Sequence, residues 1–288
     1  MGPRSRRSTA SLNGRRVFIT GAARGIGAAL ARRLHERGAR VSIAGLEPEL
    51  LEEVARACGD APWHACDVSD RDQVEAAVAA TAAGFDGLDV VVANAGVAAQ
   101  LPLVGGNPEV MERTLAVNVM GVYNTLRAAG PHISHGNGYA LPVASLAAAI
   151  HLPMLGAYNA SKSAVEALGN TLRAELRSTG AKVGVAYFAE LATDMTSRGF
   201  GTEAASKVAA VRFSRVAPLE VGIDALERGI ARRSRRVVAP WWVAAGLPVR
   251  MAVQPIIDRV TQRGLAEALE IARSEDAPLT TSQPERSP

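Results

Sequence analysis

A tyrosine and a lysine stand four positions apart in the stretch AYNASK, as Tyr158 and Lys162. Residues i and i+4 lie one above the other on a single helix face. The pair is therefore one of two things: a ring resting on a lysine stem, or a proton donor held beside a permanent positive charge. The spacing alone does not decide between them. The decision lies with what the rest of the chain can place around the pair.

The elements available for that placement alternate regularly. RRVFIT (15–20), RVSIA (40–44), APWHAC (61–66), LDVVVANAG (88–96), YALPVAS (139–145) and KVGVAYF (182–188) read as strands. Helices are expected over about 25–37, over 48–58 opened by Pro48, after an N-cap at Ser69 or Asp70, over about 108–130, and from AYNASK to about 178. Near-continuous apolar strands in such an alternation predict an α/β fold, a doubly wound parallel sheet covered on both faces. Its ligands sit at the carboxyl ends of the strands, so the residues just after each strand carry the information.

After the first strand comes TGAARGIG, with Gly21, Gly25 and Gly27. These glycines permit a tight turn, close backbone approach to a pyrophosphate and close helix packing, and the helix from Gly25 offers N–H groups to phosphate. After the third strand, Asp67 and Val68 stand where an adenine edge and face would be met, although Asp67 would serve equally as a helix cap. After the fourth, Asn94, Ala95 and Gly96 allow close backbone approach to a cofactor. Ser145 ends the fifth. Asn118 lies among apolar neighbours in MERTLAVNVMGVYNTL, where a buried amide needs partners and is a costly choice for packing.

TGAARGIG, NAG, Asn118, Ser145 and YNASK, in that order, resemble the short-chain dehydrogenase/reductase family over about residues 14–240. The resemblance implies a Rossmann fold and an NAD(P)-dependent oxidoreductase interconverting a secondary alcohol and a ketone. The opening pair is then catalytic: Tyr158 is general acid or base, Ser145 orients the substrate oxygen, Asn118 positions a water, and Lys162 bonds the nicotinamide ribose. A free phenol titrates near about 10. An ammonium about 4 Å away at an effective dielectric of about 20 favours the phenolate by about 4 kcal/mol, roughly a thousandfold in acidity. The implied cofactor set is Gly21, Arg24, Gly25, Ile26, Gly27, Gly45, Asp67, Val68, Asn94, Ala95, Gly96, Tyr158, Lys162 and Thr193. NADP is slightly favoured over NAD, because Gly45 stands where an acidic residue would mark NAD and Arg24 suits a 2′-phosphate. Glu47 lies two residues further on, Leu46 occupies the place of a second basic residue, and the alternative reading of Arg24 is a solvent-facing loop residue.

The sequence departs from the family in AYFAELATDM (186–195), where Tyr187, Phe188 or Glu190 either reshape the pocket or pack. Met154, Leu155, Phe188, Leu191, Met195 and Phe200 border the site in this family and imply an apolar substrate such as a steroid, terpenoid or fatty alcohol. A catalytically silent cofactor-binding scaffold or sensor is the competing reading, and the intact set of Asn118, Ser145, Tyr158 and Lys162 argues against it.

Composition closes off other classes. The 288 residues are 48% hydrophobic and 21% charged, as expected of a soluble globular chain. Net charge is +4 with aromatics at 4%, and no stripe of arginine interleaved with aromatics marks a nucleic-acid surface. Cys58 and Cys66 fall in the expected core, which suits a reducing cytoplasm and gives no metal site. His132 and His135 are read as solvated. Residues 1–13 form a basic tail without the apolar segment of a secretory signal, and 275–288 a polar one, both expected to be disordered. Residues 241–274 read as a C-terminal helical extension.

Within RRSRRVVAPWWVAAGLPVRMAVQPIIDRV (232–260), Val237 to Val249 carries no charge, yet is too short for the about 20 residues that span a bilayer. Beyond it, Ile256, Ile257, Val260, Gly264, Ala268 and Ile271 form one stripe at helical spacing. Two accounts stand: a seventh strand followed by a stripe packed on its own or a partner subunit, or peripheral membrane contact through 237–260. The first is preferred, since such a stripe is ordinary for a packed helix, and a homo-oligomer, dimer or tetramer, is what the family implies.

Overall fold

Val90–Ala93 are all buried, and a strand with no polar side needs helices over both faces. The computed structural model, which describes residues 11–193, 195, 203–207, 216–274, 279–281 and 283, supplies them. Its strands are β1 (Arg16–Thr20), β2 (Arg40–Gly45), β3 (Trp63–Ala65), β4 (Val90–Ala93), β5 (Tyr139–Pro142), β6 (Lys182–Val183), β7 (Val185–Phe188) and β8 (Arg236–Ala239). The first six lie in the order β3-β2-β1-β4-β5-β6, all parallel. β7 pairs with β8, also in parallel. The Gly184 N–H donates to the Ala140 carbonyl and the Ala144 N–H to the Ala186 carbonyl, each at 2.9 Å, so the hydrogen bonding continues from β5 to β7. The single strand expected over 182–188 is thus interrupted at Gly184, beside the Tyr139 hydroxyl, which donates to the Ser234 carbonyl at 2.8 Å. The result is the doubly wound α/β sheet expected from the sequence.

The helices are α1 (Gly25–Glu36), α2 (Pro48–Ala57), α3 (Arg71–Phe85), α4 (Pro108–Leu115), α5 (Gly121–Ile133), α6 (Gly156–Glu175), α7 (Glu203–Lys207), α8 (Leu219–Arg232), α9 (Val243–Gly246), α10 (Arg250–Thr261) and α11 (Leu265–Ser274). Asp70, one of the two expected caps, accepts from the Asp72 and Gln73 N–H groups and starts α3. Helix α1 buries Ala28, Leu30, Ala31 and Leu34 at helical spacing. Full burial of each leucine is worth roughly 2 kcal/mol. Its outer edge is fastened to α8 by Arg33, which reaches Glu220 (2.6 Å), Asp224 (2.7 Å) and Glu227 (3.0 Å).

The C-terminal stripe divides. Ala268 of α11 is buried, with Leu265, Leu269 and Ile271 beside it, against Met154 and Ala204, and Lys207 pairs with Glu267 at 2.7 Å. Ile256 and Val260 of α10 are exposed instead. The physical reason is that α10 turns Gln254 and Thr261 inward: Gln254 accepts from the His151 N–H and donates to the His151 carbonyl, both at 2.9 Å. Most of the two ends expected to be disordered lies outside the described residues. Leu12 is buried in the core, and Thr280 and Gln283 touch the site described below. No helix among the described residues is long and apolar enough to cross a membrane, and no cluster of metal-ligating side chains occurs among them.

Candidate active site

The carboxyl ends of β1, β2, β4 and β5 open into one cleft of about 360 Å³. At its β1 end, the Arg24 side chain makes no capping bond to α1, and the first N–H groups of this helix have no side-chain partner among the described residues. Gly21 (φ 64°) and Gly25 (φ 55°) both hold left-handed backbone. A Cβ on Gly21 would lie 2.6 Å from the Ala95 Cα, whereas one on Gly25 would meet nothing nearer than the Thr193 Cβ at 4.0 Å. The turn is closed on its packed side and open in front of the helix end, which is a cradle for phosphate.

Arg24 also lines this end, and its guanidinium is paired with the Glu47 carboxylate, Nε to Oε2 at 2.9 Å with a second contact from Nη2 to Oε1. At the next strand end, Asp67 is held on both oxygens. Its Oδ1 accepts from the Ser69 N–H (2.9 Å) and hydroxyl (2.7 Å), and its Oδ2 from the Arg113 guanidinium (2.8 Å). Burial acts to raise its pKa, but the bonds from Arg113 and Ser69 outweigh it and hold the carboxyl below its ordinary value. Arg113 in turn donates to the Gln283 side chain at 3.0 Å. Thr280 bridges to Ala98 twice: its N–H donates to the Ala98 carbonyl and its hydroxyl accepts from the Ala98 N–H, each at 3.0 Å. Sequence reasoning missed Arg113, Thr280 and Gln283, whose partners lie far away along the chain.

Every expected cofactor residue lines the cleft except Gly27, which is buried beneath the turn. Asn94 reaches it but spends its amide on the Thr20 and Gly21 carbonyls, both at 3.0 Å. The Thr20 hydroxyl accepts from the Asn94 and Ala95 N–H groups at 3.1 and 3.3 Å. A buried hydroxyl closing a strand was the signal that could have found it. Asn118 lies behind the wall, fully buried in a π-helical turn, Ala116–Met120, between α4 and α5. Its Oδ1 accepts from the Val97 N–H (2.7 Å), and its Nδ2 donates to the Val97 carbonyl (2.9 Å) and the Ser161 hydroxyl (3.0 Å). Its side chain braces the loop after NAG against α6.

Ser145, Tyr158 and Lys162 meet on the far wall. Ser145 opens a short helical turn by accepting from the Ala147 N–H at 3.1 Å, and its hydroxyl donates to the Phe188 carbonyl at 3.3 Å. Lys162 is buried, with its Nζ donating to the Val143 carbonyl at 2.9 Å and lying 5.5 Å from the Tyr158 ring centroid. Burial pulls the ammonium down to about 8. Burial also pushes the phenol above its ordinary value, against the opposing influence of Ser145. The acidification expected from Lys162 alone is therefore not what this site displays: desolvation, which disfavours the charged form of either group, dominates both.

The remaining wall is apolar. Met154, Leu155, Phe188, Leu191 and Met195 line it as expected, with Glu190, Trp242 and Thr261. Phe200 lies outside the described residues. Tyr187 packs in the core.

The profile of the short chain dehydrogenase family matches residues 15–204. The chain is 34% identical over 193 residues to 2-(R)-hydroxypropyl-CoM dehydrogenase of Xanthobacter autotrophicus, covering 62% of this chain and 76% of that one. It is 37% identical over 177 residues to D-threitol dehydrogenase of Mycolicibacterium smegmatis, covering 60% and 68%. The crystal structure of a short chain dehydrogenase from Mycobacterium paratuberculosis bound to NAD superposes with a TM-score of 0.72 at 28% identity, covering 79% of this chain and 97% of that one.

Proposed function

The chain belongs to the short-chain dehydrogenase family and is an NAD(P)-dependent oxidoreductase, and on that premise we propose that it interconverts an apolar secondary alcohol and its ketone. The observation that carries the reading is the convergence of Ser145, Tyr158 and the buried Lys162 on one wall of the same cleft as the open end of α1. When bound, the nicotinamide supplies or accepts the hydride. Tyr158 gives its phenolic proton to the carbonyl oxygen in reduction and takes it back in oxidation. Ser145 holds that oxygen. Lys162 sets the electrostatic field around the phenol, and its charged form favours the phenolate. Asn118, with its amide committed to Val97 and Ser161, holds the wall in place; we assign it positioning rather than a side-chain water relay.

The α1 end receives the pyrophosphate, and Asp67 and Val68 flank the adenine. The Arg24–Glu47 pair stands at the corner that separates the two cofactors. A carboxylate there repels a 2′-phosphate and accepts from a ribose hydroxyl, so the lean to NADP drawn from Gly45 and Arg24 weakens. Both cofactors are used in this proposal, with NAD ahead. The relatives named above are dehydrogenases of compounds bearing hydroxyl groups, in line with the reaction. The apolar wall favours substrates without charge, and the buried, unpaired Cys58 and Cys66 suit a reducing cytoplasm.

The test follows absorbance at the reduced-nicotinamide band with a panel of apolar alcohols and ketones and each cofactor. Turnover with several members supports the reading. Tight cofactor binding without turnover on any of them would assign the chain to sensing or scaffolding.

A further inference from the structure

Residues 241–263 form one wall of the cleft with their inner side and present an unusual outer one. Inward, Trp242 and Thr261 line the cleft and Gln254 clasps His151. Outward, Met251, Ala252, Pro255, Ile256, Arg259 and Val260 share one side of α10 at 3.6 residues per turn. Met251 is 86% exposed, Ile256 63% and Val260 44%, and Trp241 ahead of the helix is 82% exposed. Leaving these side chains in water forgoes the usual return of burying them.

The charge on this outer side is positive in balance. Arg259 and, in the turn after the helix, Arg263 are exposed, and neither has an ion-pair partner among the described residues. The only carboxylate of residues 241–263, Asp258, accepts from the Gln254 amide at 2.7 Å. Arg250 is spent on Glu166 at 2.8 Å. An apolar surface set with unpaired arginines and a tryptophan matches the boundary of an anionic bilayer, where acyl chains take the apolar side chains and phosphates the guanidinium groups. It suits a second copy of the chain poorly. A two-fold contact through this side would set Arg259 and Arg263 of each copy against an identical surface whose one carboxylate, Asp258, leaves positive charge over.

We propose that the outer side of residues 241–263 docks on an anionic phospholipid surface. The same segment forms the cleft wall, so docking brings the cleft up to the reservoir in which an apolar alcohol or ketone dissolves. That last step rests on the oxidoreductase reading; the docking does not.

Co-sedimentation of the full chain with vesicles tests it, using phosphatidylcholine alone and phosphatidylcholine with phosphatidylglycerol. Binding is expected only to the anionic vesicles, with loss as salt rises from about 0.02 to about 0.5 M. Ile256→Asp and Arg259→Glu should each lower binding roughly fivefold or more, and both should turn over a short water-soluble alcohol at the wild-type rate. Absence of binding to the anionic vesicles, or binding unchanged in both variants, overturns the proposal. So does an oligomer, sized by light scattering, that Ile256→Asp splits, since the side then belongs to a second copy. Sedimentation reads docking without turnover, so failure here leaves the proposed reaction standing, and a chain that docks but never turns over fails only the reaction.

Discussion

The two walls of the cleft are built differently. The wall that would do chemistry hangs from strand ends: Thr20, Asn94 and the NAG loop are fixed by bonds between the ends of β1 and β4, and Ser145 by its bond to the Phe188 carbonyl of β7. The facing wall, from Ile150 to Leu155 and along the C-terminal extension, consists of apolar side chains on loops and short helices. Its fastening includes the two bonds between Gln254 and the His151 backbone. In the proposed reading the rigid wall carries a reaction common to many enzymes, and the choice of substrate falls to the wall that can change without disturbing the sheet.

Four measurements sharpen or break that contrast. The largest effect is expected for Tyr158→Phe, with turnover lowered by roughly 10²–10⁴ and cofactor affinity unchanged by calorimetry; near-normal turnover would remove chemistry from the rigid wall. Next is the stability of Lys162→Met. The folded-state ammonium is pulled from 10.5 to about 8, so below about 8 the native protein carries the full cost of a buried charge. That cost fades as pH rises toward 10.5, because the unfolded chain then holds more of the proton than the folded one. In chemical denaturation the variant should exceed wild type by a few kcal/mol at neutral pH, less the lost bond to Val143, and the gap should close through that window. A gap constant with pH would show that the ammonium is not desolvated.

A smaller effect is expected on the soft wall. Gln254→Ala frees the 150–155 loop, and the Michaelis constant for a bulky apolar substrate should rise roughly fivefold, the worth of about one hydrogen bond, with cofactor affinity unmoved. Equal loss of both would mean that the walls are not independent. The smallest effect is at the cofactor corner. Glu47→Gln should move preference toward NADPH by a few-fold, and Arg24→Ala should weaken NADPH more than NADH, as read from initial rates; no movement in either would place the ribose elsewhere.

The same contrast decides what the sequence makes legible. Gly21, Gly25, Ser145, Tyr158 and Lys162 are recognisable because their spacing follows the strand ends, and short-range spacing survives in one dimension. The Arg113 contacts are not, because its partners Asp67 and Gln283 lie 46 and 170 residues away. The shift of the Tyr158 phenol was misjudged since charge can be counted from a sequence whereas burial cannot. On α10 the periodicity gave a stripe, but a period says nothing of what the stripe faces.

The Arg33 clasp has a consequence in time. Its contact with Asp224 spans 191 residues, so the first helix of the fold is secured by almost the last part of the sheet domain to be translated. A ribosome adding about 5–20 residues each second would hold the growing chain on the order of ten seconds or more between the two. Until then the guanidinium has only Glu36 of its own helix, 4.0 Å away, and the newborn chain completes its glycine turn before it has the clasp that fastens α1 to α8.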